Sequence, residues 1–179
     1  MKNTKTVWLS VFINVVPADY ENWLEQLALQ GWNIDHISQW SSVAMTFHRS
    51  EPKKYRYVYD LQAFPKKEYK STYEQFGWEL VGQMASCFIW RKEYIDKRPE
   101  SFTNLESLEK RNKQVVYAVS VSFIMFLIIS IVLITAFIMK FSNLSTSDIL
   151  QFTLGTVLLS AFTVYLGYVM RKIYKNRFK

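Results

Sequence analysis

The sequence predicts an α+β domain followed by a two-helix transmembrane hairpin. The hairpin is predicted by two segments, residues 115–139 and 149–170, that contain no charged side chain. About 20 residues of α-helix cross about 30 Å of hydrocarbon, and these segments have 25 and 22 residues. The domain is predicted by the dipeptide Gly-Trp, which occurs at positions 31–32 and 77–78 between an amphipathic and an alternating segment. Two buried helices in a soluble protein would need more chain around them than remains here.

The residues ahead of the apolar segments are interpreted as an internal repeat, over about 7–48 and 55–92. Helices are predicted at 18–30 and 66–76, and Gly31 and Gly77 follow them where a left-handed turn favours glycine. Strands are predicted at 7–15, 33–39 and 43–48 in the first half and at 55–62, 79–84 and 87–92 in the second. We therefore expect duplicated β-α-β-β units forming a largely antiparallel six-stranded sheet, with both helices on one face.

The net charge of +7 is concentrated around the apolar segments. Residues 1–113 hold 16 basic and 14 acidic side chains, whereas residues 114–179 hold six basic side chains and one acidic one. Such a distribution is typical of membrane topology and of attraction to anionic lipids. Because no basic stripe remains in the domain, nucleic acid is excluded as a predicted partner.

Basic residues also predict the orientation. Lys110, Arg111 and Lys113 precede the first apolar segment, and five basic residues follow the second. Since positive charge stays on the cytoplasmic side, we expect a multi-pass protein of the cell membrane with both termini cytoplasmic. The predicted divisions are a soluble cytoplasmic α+β domain at 1–95, a charged linker at 96–114, transmembrane helices at 115–139 and 149–170, an external loop at 140–148 and a basic cytoplasmic tail at 171–179.

A family resemblance rests on four short runs. These are Trp23-Leu24 followed by Gly31-Trp32, the segment Tyr-Arg-Tyr-Val-Tyr-Asp at 55–60, Phe76-Gly77-Trp78-Glu79 and Trp90-Arg91-Lys92. With their spacing, residues 8–92 resemble the domain-of-unknown-function family 2812 (DUF2812). The resemblance implies a membrane-anchored protein, because the family is found mainly in Firmicutes and is often joined to transmembrane segments. Genes of the family often lie beside those of PadR-type repressors. The resemblance therefore suggests regulation or stress response, and it implies no specific activity.

The sequence contains no arrangement of residues that predicts catalysis. Phosphate-binding, zinc-protease and nucleophile-elbow motifs are absent. Cys87 is the single cysteine, and the two histidines, His36 and His48, are interpreted as ordinary strand residues. We therefore predict no enzymatic activity, no cofactor and no metal site.

Three alternating tyrosines, Tyr55, Tyr57 and Tyr59, share one face of a predicted strand. They either form an exposed docking surface for a partner or pack beneath the helices. The sequence leaves both interpretations open.

The function predicted from these features is that of a membrane-anchored regulatory or sensor-like module that binds another protein. The alternative is an accessory subunit of a membrane transporter or export system. The lipid bilayer and an unidentified protein are the expected partners. Small and hydroxylated residues in both apolar segments also suit homo-oligomerisation.

Overall fold

The computed structural model of the protein describes residues 3–100, 105–140 and 145–176, with the side chains of the middle range described from residue 109 onward. The described residues up to Arg111 form one compact unit, and those from Asn112 onward form a second. We refer to them as the first and the second unit. The predicted linker, external loop and tail each lie partly outside the described residues.

The first unit contains six strands and three short helices, and α4 and α5 follow. The strands are β1 (Thr4–Trp8), β2 (Trp32–Asn33), β3 (Ala44–Arg49), β4 (Tyr55–Leu61), β5 (Glu79–Met84) and β6 (Cys87–Glu93). The helices are α1 (Ser10–Ile13), α2 (Pro17–Leu29), α3 (Tyr69–Gln75), α4 (Leu105–Lys140) and α5 (Thr146–Lys175), with a 3₁₀ helix at Gln39–Ser42.

The predicted α+β fold class is confirmed, but the six strands form two antiparallel sheets of three. Their orders are β1-β3-β2 and β4-β6-β5, so the strand order is the same in both halves of the unit. Ile37 and Gly82 join the sheets through an isolated parallel bridge. The strand predicted over 33–39 is thus replaced by the two-residue β2, and Ile37, within the predicted range, forms only this isolated bridge.

Two predicted strands are corrected by the structure. The strand predicted over 7–15 ends at Trp8, where Leu9 adopts the left-handed conformation (φ 53°) and residues 10–13 turn into α1. Asn14 holds this turn, because its backbone and side-chain N–H groups both donate to the carbonyl of Ser10. In the second case, a capping box between Ser38 and Ser41 starts the 3₁₀ helix that ends the strand predicted over 33–39.

The other boundaries lie close to the predicted ones. β5 has the predicted bounds, and Gly31 and Gly77 have φ angles of 79° and 75° directly after their helices. The expectation that both helices share one sheet face was wrong. Tyr57 packs with α2 in one core cluster, whereas its neighbour Val58 packs with α3 in another. Since adjacent strand residues point to opposite faces, α2 and α3 contact opposite faces of the second sheet.

The second unit is built from α4, from Asn112 onward, and α5. Among the described residues, Glu109–Lys140 and Thr146–Lys175 are helices long and apolar enough to cross a membrane. They include the predicted spans at 115–139 and 149–170. A capping box between Ser145 and Asp148 starts α5, which explains why the helix begins three residues before the uncharged segment.

Candidate functional site

Five charged residues of the first unit meet in a glutamate–arginine network formed by Glu21, Glu25, Arg56, Arg98 and Arg111. Glu21 and Glu25 lie one turn apart on α2, and Arg56 comes from β4. Arg56 Nη2 lies 3.0 Å from Glu21 Oε2, and its Nη1 lies 2.8 Å from Glu25 Oε1. Arg56 and both carboxylates are buried. A pair of this kind is strongly coupled, because removing one partner leaves a buried charge uncompensated.

Two further arginines complete the network from later parts of the chain. Arg111, near the start of α4, donates from Nη1 to Glu21 Oε1 at 2.6 Å and is itself buried. Arg98, which follows β6, donates from Nε and Nη2 to the two carboxylate oxygens of Glu25 at 3.0 Å each. The carboxylates of α2 therefore hold both segments that come after the second sheet.

The same carboxylates bind the backbone of β4, which is an outer strand of its sheet. The N–H of Tyr59 donates to Glu21 Oε1 at 2.9 Å, and the N–H of Tyr57 donates to Glu25 Oε1 at 3.3 Å. Strand residues two apart direct these N–H groups to the same side. The one-turn spacing of the two glutamates on α2 matches the spacing of these two N–H groups, so the hydrogen bonds fix the position of α2 along the strand.

Of the two interpretations of the tyrosine face, the structure supports packing beneath a helix. Tyr55 and Tyr57 are 7% and 1% exposed, and both belong to the core cluster that contains α2. Tyr59 packs against this cluster, with its ring 5.6 Å from that of Tyr20. Burial raises the pKa of Tyr57 and of Tyr59. These side chains therefore stabilise the fold and are not available for docking.

A second buried polar group lies on the opposite face of the second sheet. Asp60 accepts hydrogen bonds from the hydroxyls of Tyr69 (2.8 Å) and Tyr73 (3.1 Å), and Tyr69 also accepts one from Trp90 Nε1 (3.0 Å). Burial and the Asp60 carboxylate raise the pKa of both tyrosines. An open cleft of about 310 Å³ lies beside them, with Gln62 among its lining residues. The aromatic rings account for the attachment of α3 to the sheet.

The single thiol is buried. Cys87 lies in β6 and donates to the Tyr59 hydroxyl at 2.8 Å. Desolvation by burial raises its pKa to about 11, and a thiol that remains protonated is a poor nucleophile. Cys87 is therefore a structural residue.

In the second unit, α4 and α5 pack against each other as an antiparallel pair. The Ser130 and Thr163 hydroxyls lie 3.3 Å apart, and a Cβ at Gly167 would lie 3.4 Å from the ring of Phe123. The rings of Phe126 and Phe162 meet edge to face at 5.0 Å. Close packing at small residues, with paired hydroxyls, is the usual way in which apolar helices associate.

The family model described as "Protein of unknown function (DUF2812)" matches residues 17–125, more than half of the chain. The chain belongs to this family. The match begins at the first residue of α2 and ends within α4, so it contains every member of the glutamate–arginine network. No curated protein and no solved structure matches the chain.

The sequence reasoning missed the central feature of this DUF2812 protein. Glu21 and Glu25 form an i, i+4 pair on the amphipathic helix α2, and this spacing was the signal that the sequence offered. Their arginine partners lie 31 to 90 residues away. Nothing local in the sequence connects them.

The chemistry available to the described residues is limited. No group of three His, Cys, Asp or Glu side chains among them could hold a metal ion. His48 lies in β3 with Nε2 3.9 Å from Asp35 Oδ2, and both side chains are more than half exposed. The buried carboxylates of Glu21 and Glu25 are paired with arginines, whereas the buried carboxylate of Asp60 is hydrogen-bonded to tyrosine hydroxyls.

Proposed function

We propose that this DUF2812 protein is anchored in the cell membrane by α4 and α5, and that its first unit is a cytoplasmic regulatory or sensor-like module that binds another protein. The observation that carries the proposal is the exposure of these helices. Only 6% and 11% of the residues in their most apolar stretches are buried. The core helices of a soluble protein are mostly buried, so a lipid environment accounts better for this exposed apolar surface.

The hydroxyl groups of the helices support the same environment. Five of them donate to the carbonyl four residues earlier in their own helix, namely those of Ser120, Ser122, Ser130, Thr135 and Thr163. In hydrocarbon no water can bind a free hydroxyl, so an internal acceptor is required. With no charged residue in either segment, the helices meet the polar requirements of a bilayer core.

The flanking charges support an orientation with both termini in the cytoplasm, because basic residues gather at the start of α4 and at the end of α5 and positive charge stays on the cytoplasmic side. Single-cysteine variants on a Cys87→Ala background test it with a membrane-impermeant maleimide on intact cells. A cysteine at Ser147, which is exposed near the start of α5, should react from outside. A cysteine at Glu51, which is exposed in the first unit, should react only after permeabilisation. The reverse pattern would refute the orientation. If the membrane fraction contains neither labelled variant, even after permeabilisation, the anchor would be refuted.

The regulatory role is supported by the way the network joins distant segments. Glu21 and Glu25 bind β4, the segment after β6 and the start of α4 at once. A partner that displaces α2 must therefore break ion pairs with residues on all three. A conformational signal of that kind is suited to a sensor.

Affinity capture of the intact protein from mild detergent tests this role. A matched variant in which α4 and α5 from residue 115 onward are replaced by an unrelated hairpin locates the contact. If the same partner is captured with both proteins, the first unit binds it. Loss of the partner with the replaced hairpin would refute the module and would favour an accessory subunit of a transporter or export system. Capture of no specific partner with either protein would also refute it.

A further inference from the structure

The first unit exposes a set of large apolar side chains that its core does not use. We call them the tryptophan patch, and its members are Trp8, Leu9, Phe12, Ile13, Trp40 and Val43. Trp40 is 79% exposed, Ile13 65% and Trp8 64%. Half-buried or buried positions are usual for tryptophan, so two tryptophans this exposed on one small unit call for an explanation.

The members of the patch lie at one end of the first sheet and in the two short helices next to it. Trp8 pairs with Ala44 at the end where β1 finishes and β3 begins. The N–H of Leu9 donates to the carbonyl of Val43 at 2.7 Å. α1 and the 3₁₀ helix contact each other beside this bond. The two short helices therefore bring the apolar side chains of two distant segments onto the same end of the sheet.

Local structure holds the patch outward. Leu9 has a positive φ of 53°, a conformation that is costly for a leucine and that persists only where its surroundings fix it. The polar residue that follows it, Ser10, is fully buried while Phe12 and Ile13 are exposed. This is the reverse of the arrangement that water favours, and it indicates a surface that is covered in use.

The absence of charge indicates what covers it. Residues 6–18 and 37–47, which include the whole patch, contain no Asp, Glu, Lys or Arg. The rim of a protein–protein interface is usually polar and carries charges. Tryptophan, by contrast, is enriched where hydrocarbon meets the headgroups, and the strength of binding there increases with the apolar area that is buried.

We infer that the tryptophan patch inserts into the headgroup region of the bilayer that holds α4 and α5. This inference rests on the proposed membrane anchor. The anchor keeps the first unit beside the bilayer at a high effective concentration, so a small apolar patch is sufficient for contact. The bilayer is thus a second, peripheral ligand of the domain.

Fluorescence quenching by brominated lipids tests the inference on the full chain in phosphatidylcholine vesicles. An environment-sensitive dye is attached to single cysteines on a Cys87→Ala background. Trp40→Cys and Ile13→Cys report on the patch. Phe64→Cys is the matched control, because Phe64 is an aromatic residue of the first unit that is 94% exposed outside the patch. Ile131→Cys reports on α4 and therefore on the anchor itself.

The expected result is quenching of about twofold or more at residues 13 and 40, as for shallow insertion, with little change at residue 64 and strong quenching at residue 131. Strong quenching at 131 with equal, weak quenching at 13, 40 and 64 would overturn the patch and leave the anchor standing. No quenching at 131 would overturn both. Self-quenching at residue 40 that disappears on dilution with unlabelled protein would show a second copy on the patch and would also overturn the inference.

Intrinsic fluorescence gives a second measurement that does not depend on labelling. Trp8 and Trp40 contribute to the emission of the otherwise unchanged chain. We expect brominated lipids to quench this emission and a Trp8→Phe/Trp40→Phe variant to lose most of that quenching. Unchanged quenching in the variant would contradict the insertion of these two residues.

Discussion

Replacing Gly82 with alanine tests the contact that joins the two sheets. A Cβ at this position would lie 1.9 Å from the carbonyl oxygen of Ile37, where real Cβ atoms do not approach closer than 3.0 Å. The atoms of Ile37 that this Cβ would meet belong to the backbone, so no flexible side chain can move aside. Residue 37 must recede from β5, and the hydrogen bond from its N–H to the carbonyl of Val81, now 2.9 Å, will be lost.

Apart from the strain that the positive φ of residue 82 (154°) imposes on an alanine, the cost of the lost contact has two parts. Overpacking in a well-packed core costs about 1–3 kcal/mol, and the lost hydrogen bond costs about 1 kcal/mol. The free energy of unfolding should therefore fall by about 2–4 kcal/mol. For a unit of this size that corresponds to a decrease in Tm on the order of 10–20 °C.

Tryptophan fluorescence during heating of the intact protein in detergent measures this change. All six tryptophans occur at or before residue 90, so the signal reports on the first unit alone. Gly77→Ala is the matched control, since Gly77 also has a positive φ but a Cβ there would meet only the end of the Lys92 side chain, at 3.5 Å. It should lose only the cost of a left-handed alanine, about 1 kcal/mol. A Tm for Gly82→Ala equal to or above that of Gly77→Ala would refute the reasoning.

Three further predictions concern the network, the thiol and the helix pair. Glu21→Ala leaves buried arginines without their carboxylate and should lower the urea-measured free energy of unfolding by about 3–5 kcal/mol. The control, Glu79→Ala, removes a largely exposed carboxylate and should lower it by less than about 1 kcal/mol. Equal costs in the two variants would contradict the buried network. Because burial raises the pKa of Cys87 to about 11, the folded protein should be alkylated at pH 8 about 100-fold more slowly than the protein unfolded in urea, and its alkylation rate should rise with pH up to about 11. Comparable rates in the folded and unfolded protein would show that the thiol is accessible. Gly167→Leu should separate α4 from α5 at Phe123 and abolish disulfide cross-linking between cysteines placed at 126 and 162, whereas Gly155→Leu, where a Cβ would meet nothing within 4 Å, should leave cross-linking intact.

The parts of the fold that were predicted well depend on local rules. The left-handed turns at Gly31 and Gly77 follow from the one residue type that adopts them without a steric cost. β4 and β5 follow from alternation and from β-forming side chains. The spans follow from length and from the absence of charge. In each case the residues that determine the structure lie within a few positions of one another.

The parts that were missed depend on distant contacts. Residues 10–13 have strand-forming side chains, but the bond from the Leu9 N–H to Val43 and the Asn14 bonds to Ser10 turn them into a helix. The glutamates of α2 look like solvent-facing charges, because their arginine partners follow them by as many as 90 residues. Tyr55 and Tyr57 could be assigned to one strand face from the sequence, yet the covering of that face by α2 could not.

The position of Glu21 and Glu25 beside β4 has a consequence for the solubility of the chain. An outer strand whose N–H groups are free is a template on which another chain can add a strand. Here the two carboxylates occupy the N–H groups of Tyr57 and Tyr59, in a strand whose sequence, Tyr-Arg-Tyr-Val-Tyr, is rich in residues that favour cross-β stacking. α2 thus protects this edge strand from pairing with another chain. A variant in which α2 detaches would therefore expose β4 and be prone to aggregation.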